Sequence, residues 1–571
     1  MAEYKPKERS RQGIPGTGGR PTFQWQLTDT SMMDTVKLTL PGTHCLPIVF
    51  IPGIMGSNLS NLEGSPVWLL NTTGGEAMGL ATEWATKDAA HRQRVLHPDR
   101  TRVFKHGNVP YLGVGTAKNS KSYLDRGWGE VAEGSYHEFL TWLEERMNGP
   151  VGMAGSVEAF SVAKNSVRTS KKSGVGNLAP GLRMKMAGLP PTSDFGEVTT
   201  DVLSQELTQR GLFRFPVYAM GYNWLQSNSI AAAQLSKRIR LIIAENNIHT
   251  QKCEQVILVT HSMGGLVARA CCEISGMKEF IAGIVHGVMP AVGASVAYRR
   301  CKAGMSEESF VAGEVIGADG QQVTAVFSQA PGALQLLPSE DYKKGWLNVS
   351  ADGVTPLELP KLDPYEEIYL KRDQWWGLVN EDWLKPQGGL SIDWDVYRSN
   401  VLTARAFHRG LSKKYHPNTY VFYGGGTGSK EKSFETVRWR VARGRRPSEN
   451  GMPASKDVFE MPHKNVHEPG GNTVFIGQKM LRPVNFGTSR ENSNAMPEMQ
   501  SFWEARVLLQ DGRGDGTVSA SSGGAPKKTN PQEVRQQFNL GGFGHEKAYK
   551  YEEPRCVTEY AITKIAGMAK R

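Results

Sequence analysis

The sequence lacks any apolar run long enough to span a bilayer: no uncharged stretch approaches the ~18 residues that a membrane helix needs. Its first twenty residues (MAEYKPKERSRQGIPGTGGR) are charged and glycine-rich, with no apolar h-region. No secretory signal is expected there, and synthesis as a cytoplasmic product is. Cysteine is scarce, with only Cys45, Cys253, Cys271, Cys272, Cys301 and Cys556 among 571 residues. None forms a C-x-x-C pair, so neither a zinc site nor a disulfide framework is expected, and the six read as reduced core thiols. No metal or other cofactor is implied. Internal repeats are also lacking. Acidic charge falls short of basic, leaving a net +11. That excess favours anionic partners such as a phospholipid surface. Nucleic acid is not expected, because no aromatic-plus-basic motif of a recognised fold accompanies the charge.

What is present centres on residues 255–275. Val256 to Val259 has the β-branched content of a buried parallel strand, and helix formers resume at Leu266 after two glycines. Ser262 thus stands on a sharp strand-to-helix turn, the arrangement of a nucleophile elbow. The position two before the serine, usually glycine, is Thr260.

Upstream, residues 1–22 read as a flexible basic tail and 23–571 as one α/β domain with two long insertions. Leu46 to Ile51 is a strand, followed directly by Pro52-Gly-Ile-Met-Gly-Ser-Asn-Leu59. Residues at about 60–200 do not alternate strand and helix. Within them Glu138 to Met147 reads as a helix, and 150–194, rich in glycine and lone methionines, has a composition that suits a lid and a plain surface insertion equally. Beyond it, Asp201 to Arg210 reads as a helix. A strand from Val217, a helix over Ser229 to Ile248, the elbow and a strand over Phe280 to His286 follow. This β–α–β–α–β spacing predicts a mostly parallel sheet. Residues at about 300–500 form a cap-like insertion, mostly helical to 415 around Trp375, Trp376, Trp383 and Trp394. A strand returns at 419–424, an arginine run (Arg438, Arg440, Arg443, Arg445, Arg446) follows, and Ala505 to Gln510 reads as the last core strand.

A serine nucleophile needs a base, and the base needs a carboxylate; in α/β-hydrolases the chain order is Ser, acid, His. The loop Asp511-Gly-Arg-Gly-Asp515 supplies the acid, with Asp515 preferred and Asp511 the alternative. His545, in Gly541-Gly-Phe-Gly-His545, is the histidine that follows both. The amide of Met263, next after the nucleophile, and that of Ile54, after Pro52-Gly53, are the expected oxyanion donors.

These motifs resemble the family of lecithin–cholesterol acyltransferase and related phospholipases. The resemblance rests on Pro52-Gly-Ile-Met-Gly-Ser-Asn-Leu59, Tyr222-Asn-Trp224, Thr260-His-Ser-Met-Gly-Gly265, Gly514-Asp-Gly-Thr-Val518 and Gly332-Ala-Leu-Gln-Leu-Leu-Pro338. The family typically has Tyr-Asp-Trp where Asn223 stands here. The resemblance implies an α/β-hydrolase with Ser262, Asp515 and His545 as triad, Ile54 and Met263 as oxyanion donors, and phospholipid acyl esters as substrate. An acyltransferase is the first alternative and a catalytically idle binding module the second. In overall character the chain is also similar to bacterial lipase effectors of type VI secretion. That implies a secretion-apparatus component, delivery into a rival's periplasm and an immunity protein at home.

Overall fold

In this computed structural model the described residues are 43–69, 84, 86–110, 122–148, 206, 209–248, 251–305, 316–426, 430–443, 455–461, 466–470, 473–483 and 497–571, plus four short strands before them. Two of those early strands, Glu8–Gln12 and Thr35–Thr39, pair in parallel, so the expected tail contains a strand. The lid-like stretch 150–194 and most of the expected 201–210 helix lie outside the described residues.

Six parallel strands form the central sheet: β1 (Ile48–Ile51), β2 (Val217–Ala219), β3 (Val256–His261), β4 (Ile281–Gly287), β5 (Thr419–Gly424) and β6 (Val534–Leu540), in the order β2-β1-β3-β4-β5-β6. The α/β-hydrolase sheet expected from the motifs is therefore present. Both faces are covered, which is why β1 and β3 read as continuous apolar runs rather than alternating ones. Ile48, Phe50, Ile257 and Val259 face one core, where α1 (Glu133–Asn148) and α5 (Glu552–Ala566) contribute Tyr136, Phe139, Leu143, Val557 and Ile562. Val49, Ile51, Val256 and Leu258 face the other, against α2 (Asn228–Asn246) and α3 (Gly264–Cys272). Helix α2 buries Leu235, Ile239, Ile242 and Asn246 at helical spacing, and Ser227 caps its start by accepting from the Ser229 amide.

To residue 415 the described regular structure of the cap is mainly helical, but the cap as a whole also contains a sheet. Helix α4 (Trp394–Leu411) is there, but residues 347–507 also build a second six-stranded sheet. Its strands run in the order Leu357–Leu359, Leu347–Ala351, Val437–Arg443, Pro497–Val507, Thr473–Pro483 and Val466–Gly470. Of the expected strand Ala505 to Gln510, the part from Ala505 to Val507 consequently belongs to this sheet and not to the central one, and 508–510 lie beyond its end. Its apparent apolar run misleads: Trp503, Ala505 and Val507 alternate inward, while Leu508 is 39% and Leu509 87% exposed. The true last core strand, β6, was obscured by its polarity. Gln537 is fully buried there, its amide donating to the Gly524 carbonyl at 2.8 Å and accepting from the Lys527 N–H at 3.1 Å.

Arg438, Arg440 and Arg443 of the arginine run lie on an interior strand of this second sheet, paired on both sides. Trp439 and Val441 point inward, Arg438 pairs with Asp511 at 3.7 Å, and Arg440 pairs with Asp352. Arg445 and Arg446 lie outside the described residues.

Candidate active site

In a parallel sheet every strand delivers its following loop to the same edge, and ligands bind there. The loop Pro52–Asn58 follows β1, Ser262 follows β3 and His545 follows β6. Asp515 reaches the same edge by a detour. A Cβ placed on Gly424, the last residue of β5, would lie 2.7 Å from the Asp515 Cβ. The acid therefore sits at the end of β5, and the chain between them is the cap excursion. A short antiparallel ladder, Lys432–Ser433 with Gly512–Arg513, closes the neck of that excursion.

Ser262 adopts φ +52°, a region that non-glycine residues rarely occupy and the conformation an elbow imposes. The turn is tight. A Cβ on Gly264 would meet the Ile51 carbonyl at 2.4 Å, and one on Gly53 would lie 2.9 Å from the His261 ring and 3.0 Å from the Ser262 Cβ. The loop after β1 is thus pressed directly onto the elbow, as the oxyanion expectation requires.

The structure brings Ser262, His545 and Asp515 into one hydrogen-bonded row. Ser262 Oγ lies 2.8 Å from His545 Nε2, and His545 Nδ1 lies 2.9 Å from Asp515 Oδ2. A carboxylate accepts only, so Nδ1 carries the proton and Nε2 accepts from the serine. Asp515 is 1% exposed and its other oxygen is also engaged, accepting the Thr517 and Val518 amides at 3.1 and 2.7 Å. The His545 N–H binds the Asp515 main-chain carbonyl at 2.8 Å, so acid and base loops are tied twice. Asp511 is elsewhere, accepting the Glu435 and Thr436 amides at 3.0 Å. The Ile54 and Met263 amides donate to no other group among the described residues. Helix α3 begins immediately after Met263, directing its N-terminal amides and dipole toward the serine. Such an arrangement is equipped for acyl transfer through a serine ester.

Residues 139–357 match the family model of lecithin:cholesterol acyltransferase. The chain has the α/β-hydrolase fold, and this segment of it is similar to the LCAT family. The matched segment holds the elbow and ends before Asp515 and His545. A crystal structure of a Tle4–Tli4 complex shows a likeness over most of the molecule, covering 92% of this chain and 99% of that one at 26% identity with a TM-score of 0.66. The phospholipase PlaB from Legionella pneumophila aligns over 42% of this chain and 67% of its own at 13% identity, but its TM-score of 0.14 carries no argument. A search of curated proteins found no match.

Around the row lies a second network that sequence reasoning missed. His261, beside the nucleophile, is buried, and its Nε2 lies 2.9 Å from the His545 carbonyl. A carbonyl only accepts, so Nε2 bears the proton and Nδ1 accepts from the Tyr136 hydroxyl at 3.0 Å. Tyr136 in turn accepts the Gly53 N–H at 3.2 Å. Burial holds the His261 imidazole down to about 3, so it is neutral and each end of the relay is fixed. The loop after β1, helix α1, the elbow and the His545 loop are thereby joined through side chains. The only signal in the sequence was a histidine inside the Thr260-His-Ser motif.

Both departures from the usual motifs have a physical reason. Thr260 is fully buried and its hydroxyl meets Nδ1 of His286, its register partner on β4, at 3.0 Å. Asn223 donates its amide to the carbonyls of Pro98 and Thr101 and to the Thr101 hydroxyl, at 3.1, 2.9 and 3.0 Å. An aspartate would turn an acceptor toward two carbonyls that only accept. Asn223→Asp is therefore expected to destabilise the fold by about 1–3 kcal/mol. Chemical denaturation measures it, and an unchanged midpoint would contradict the donor role.

Proposed function

We propose that this protein cleaves the acyl esters of membrane phospholipid, with Ser262 as nucleophile. The observation that carries the reading is the row Ser262–His545–Asp515 beside two amides with no other acceptor among the described residues. Ser262 Oγ attacks the ester carbonyl while His545 Nε2 takes its proton. The oxyanion that forms is held by the Ile54 and Met263 N–H groups. Asp515 keeps Nδ1 protonated and stabilises the imidazolium. His545 then returns the proton to the leaving alcohol oxygen, producing a lysolipid and an acyl-serine. Water, activated by the same imidazole, releases the fatty acid.

The family match adds a second reading, in which a sterol or other alcohol replaces water as acyl acceptor. One experiment separates the two. The protein is incubated with mixed phospholipid vesicles containing cholesterol, and the products are identified by mass spectrometry. Hydrolysis yields free fatty acid and lysolipid; transfer yields lysolipid and cholesteryl ester. If no acyl chain leaves any phospholipid, the proposal is wrong.

We further propose delivery by type VI secretion into the periplasm of a rival cell, with an immunity protein as antagonist. Supporting it is the likeness over 92% of the chain to a protein solved in complex with a second component, Tli4. Directed to the periplasm of a bacterial host by an added signal, the protein is expected to arrest growth, whereas the Ser262→Ala form is not. Equal growth of the two would contradict this role.

A further inference from the structure

Far from the site, at the N-terminal ends of β1 and β3, three residues from neighbouring strands stand in register. Phe213–Arg214 pairs in parallel with His44–Cys45, placing Arg214 beside Cys45. On the other side His44 bridges Lys252, with the Cys45 N–H donating to the Lys252 carbonyl at 2.7 Å and the Lys252 N–H to the Thr43 carbonyl at 3.1 Å. The next pair in that register is Cys45 with Cys253. Laterally paired residues of parallel strands project to the same face roughly 4.8 Å apart, within the Cα separation that a disulfide bridges. The Arg214 guanidinium lies on the same face as Cys45, reaching its sulfur at 3.7 Å. Asn246 and Gln251 hold that guanidinium at 2.9 and 3.2 Å.

We propose that Cys45 and Cys253 are an oxidisable pair, joined as a disulfide by hydrogen peroxide at the foot of the two strands that carry the site. A hydrogen bond from Cys253 and the Arg214 charge hold the Cys45 thiol below its ordinary range, making Cys45 the sulfur that reacts first. Burial instead raises the thiols of Cys271, Cys272 and Cys301, outweighing the charges of Arg240, Arg269 and Arg300. Both paired sulfurs are buried, while Thr43, Lys252 and Glu254 beside them are exposed. A small oxidant reaches a sulfur one residue below the surface where a peptide disulfide does not.

The chemistry balances. The Cys45 thiolate attacks one peroxide oxygen, the O–O bond breaks, and the departing hydroxide takes the proton released by Cys45 to become water. The resulting sulfenic acid is attacked by the Cys253 sulfur; the S–O bond breaks, and that hydroxide leaves with the Cys253 proton as a second water. The two thiols lose two electrons and the peroxide gains them. The bond ties residue 45, three before β1, to residue 253, three before β3. Those strands end in the Gly53–Ile54 loop and in Ser262.

The test treats the full chain with a few equivalents of hydrogen peroxide, alkylates it under denaturing conditions and maps it without reduction by mass spectrometry. A linked Cys45–Cys253 peptide is expected, forming about tenfold more slowly in Arg214→Gln. The oxidised protein is expected to melt about 5 °C or more above the reduced one, with dithiothreitol reversing the shift. Cys253→Ala is expected to show neither the peptide nor the shift, and should that variant not fold, the wild-type map decides alone. The proposal is overturned if both thiols stay alkylatable, if Cys45 advances to a sulfinic acid without linking, or if Cys45 links to another cysteine.

Discussion

Ser262→Ala is expected to lower fatty-acid release from phospholipid vesicles by roughly 10⁵-fold while the protein melts within about 2 °C of the wild type. The asymmetry follows from what the hydroxyl does. Among the described residues its one hydrogen bond to a side chain is to His545 Nε2, and the φ of +52° is borne by the backbone whichever small side chain stands there. His545 remains fixed by Asp515 and by its own main-chain N–H, so the imidazole stays in place with no nucleophile to deprotonate. Vesicle binding, measured by flotation, is expected to be unchanged. Activity retained above a tenth of wild type would refute Ser262 as nucleophile.

Asp515→Asn is expected to cost about 10⁴-fold in kcat, through a tautomer rather than through the fold. Asp515 Oδ1 accepts the Thr517 and Val518 amides, so an asparagine keeps its oxygen on that side. Its NH2 then faces His545 Nδ1 and donates to it. The ring proton moves to Nε2, which points at Ser262 Oγ and can no longer accept from it. Nuclear magnetic resonance of the imidazole nitrogens reads the tautomer directly. A variant with unchanged kcat, or one with the wild-type tautomer, would count against this role for Asp515. Asp511→Asn is expected to leave kcat unaltered, because that carboxylate serves the amides of Glu435 and Thr436.

The elbow, the loop after β1, and the order of serine, acid and base were legible because each is local chemistry written in contiguous residues. So were five of the six core strands, whose double burial makes them unbroken apolar runs. Strand β6 was not, since the buried Gln536, Gln537 and Asn539 break its apolar pattern. Its place was given instead to Ala505–Gln510, whose two exposed leucines imitate a buried segment. The cap sheet was hidden for a further reason. It pairs Leu347–Ala351 with Val437–Arg443, partners separated by β5 and α4, and long-range pairing leaves no mark on a window of sequence. Tyr136 escaped notice likewise, because its role depends on helix α1 crossing behind the elbow.

The neck of the cap excursion makes the carboxylate's position a folding equilibrium as well as a matter of geometry. Roughly 90 residues leave at Gly424 and return at Asp515, and closing a loop of that length costs about 4 kcal/mol of chain entropy. The Lys432–Ser433 ladder and the sheet beyond it offset that cost, and Ser433 Oγ fastens the return by accepting the Gly516 N–H at 3.1 Å and donating to the Val518 carbonyl at 2.9 Å. Local opening of the cap would therefore withdraw the acid while leaving nucleophile and imidazole on the sheet. In hydrogen-exchange terms, protection at the neck amides sets the fraction of molecules with a complete row. Activity in this protein is thus coupled to the stability of a sheet that contributes no reacting atom.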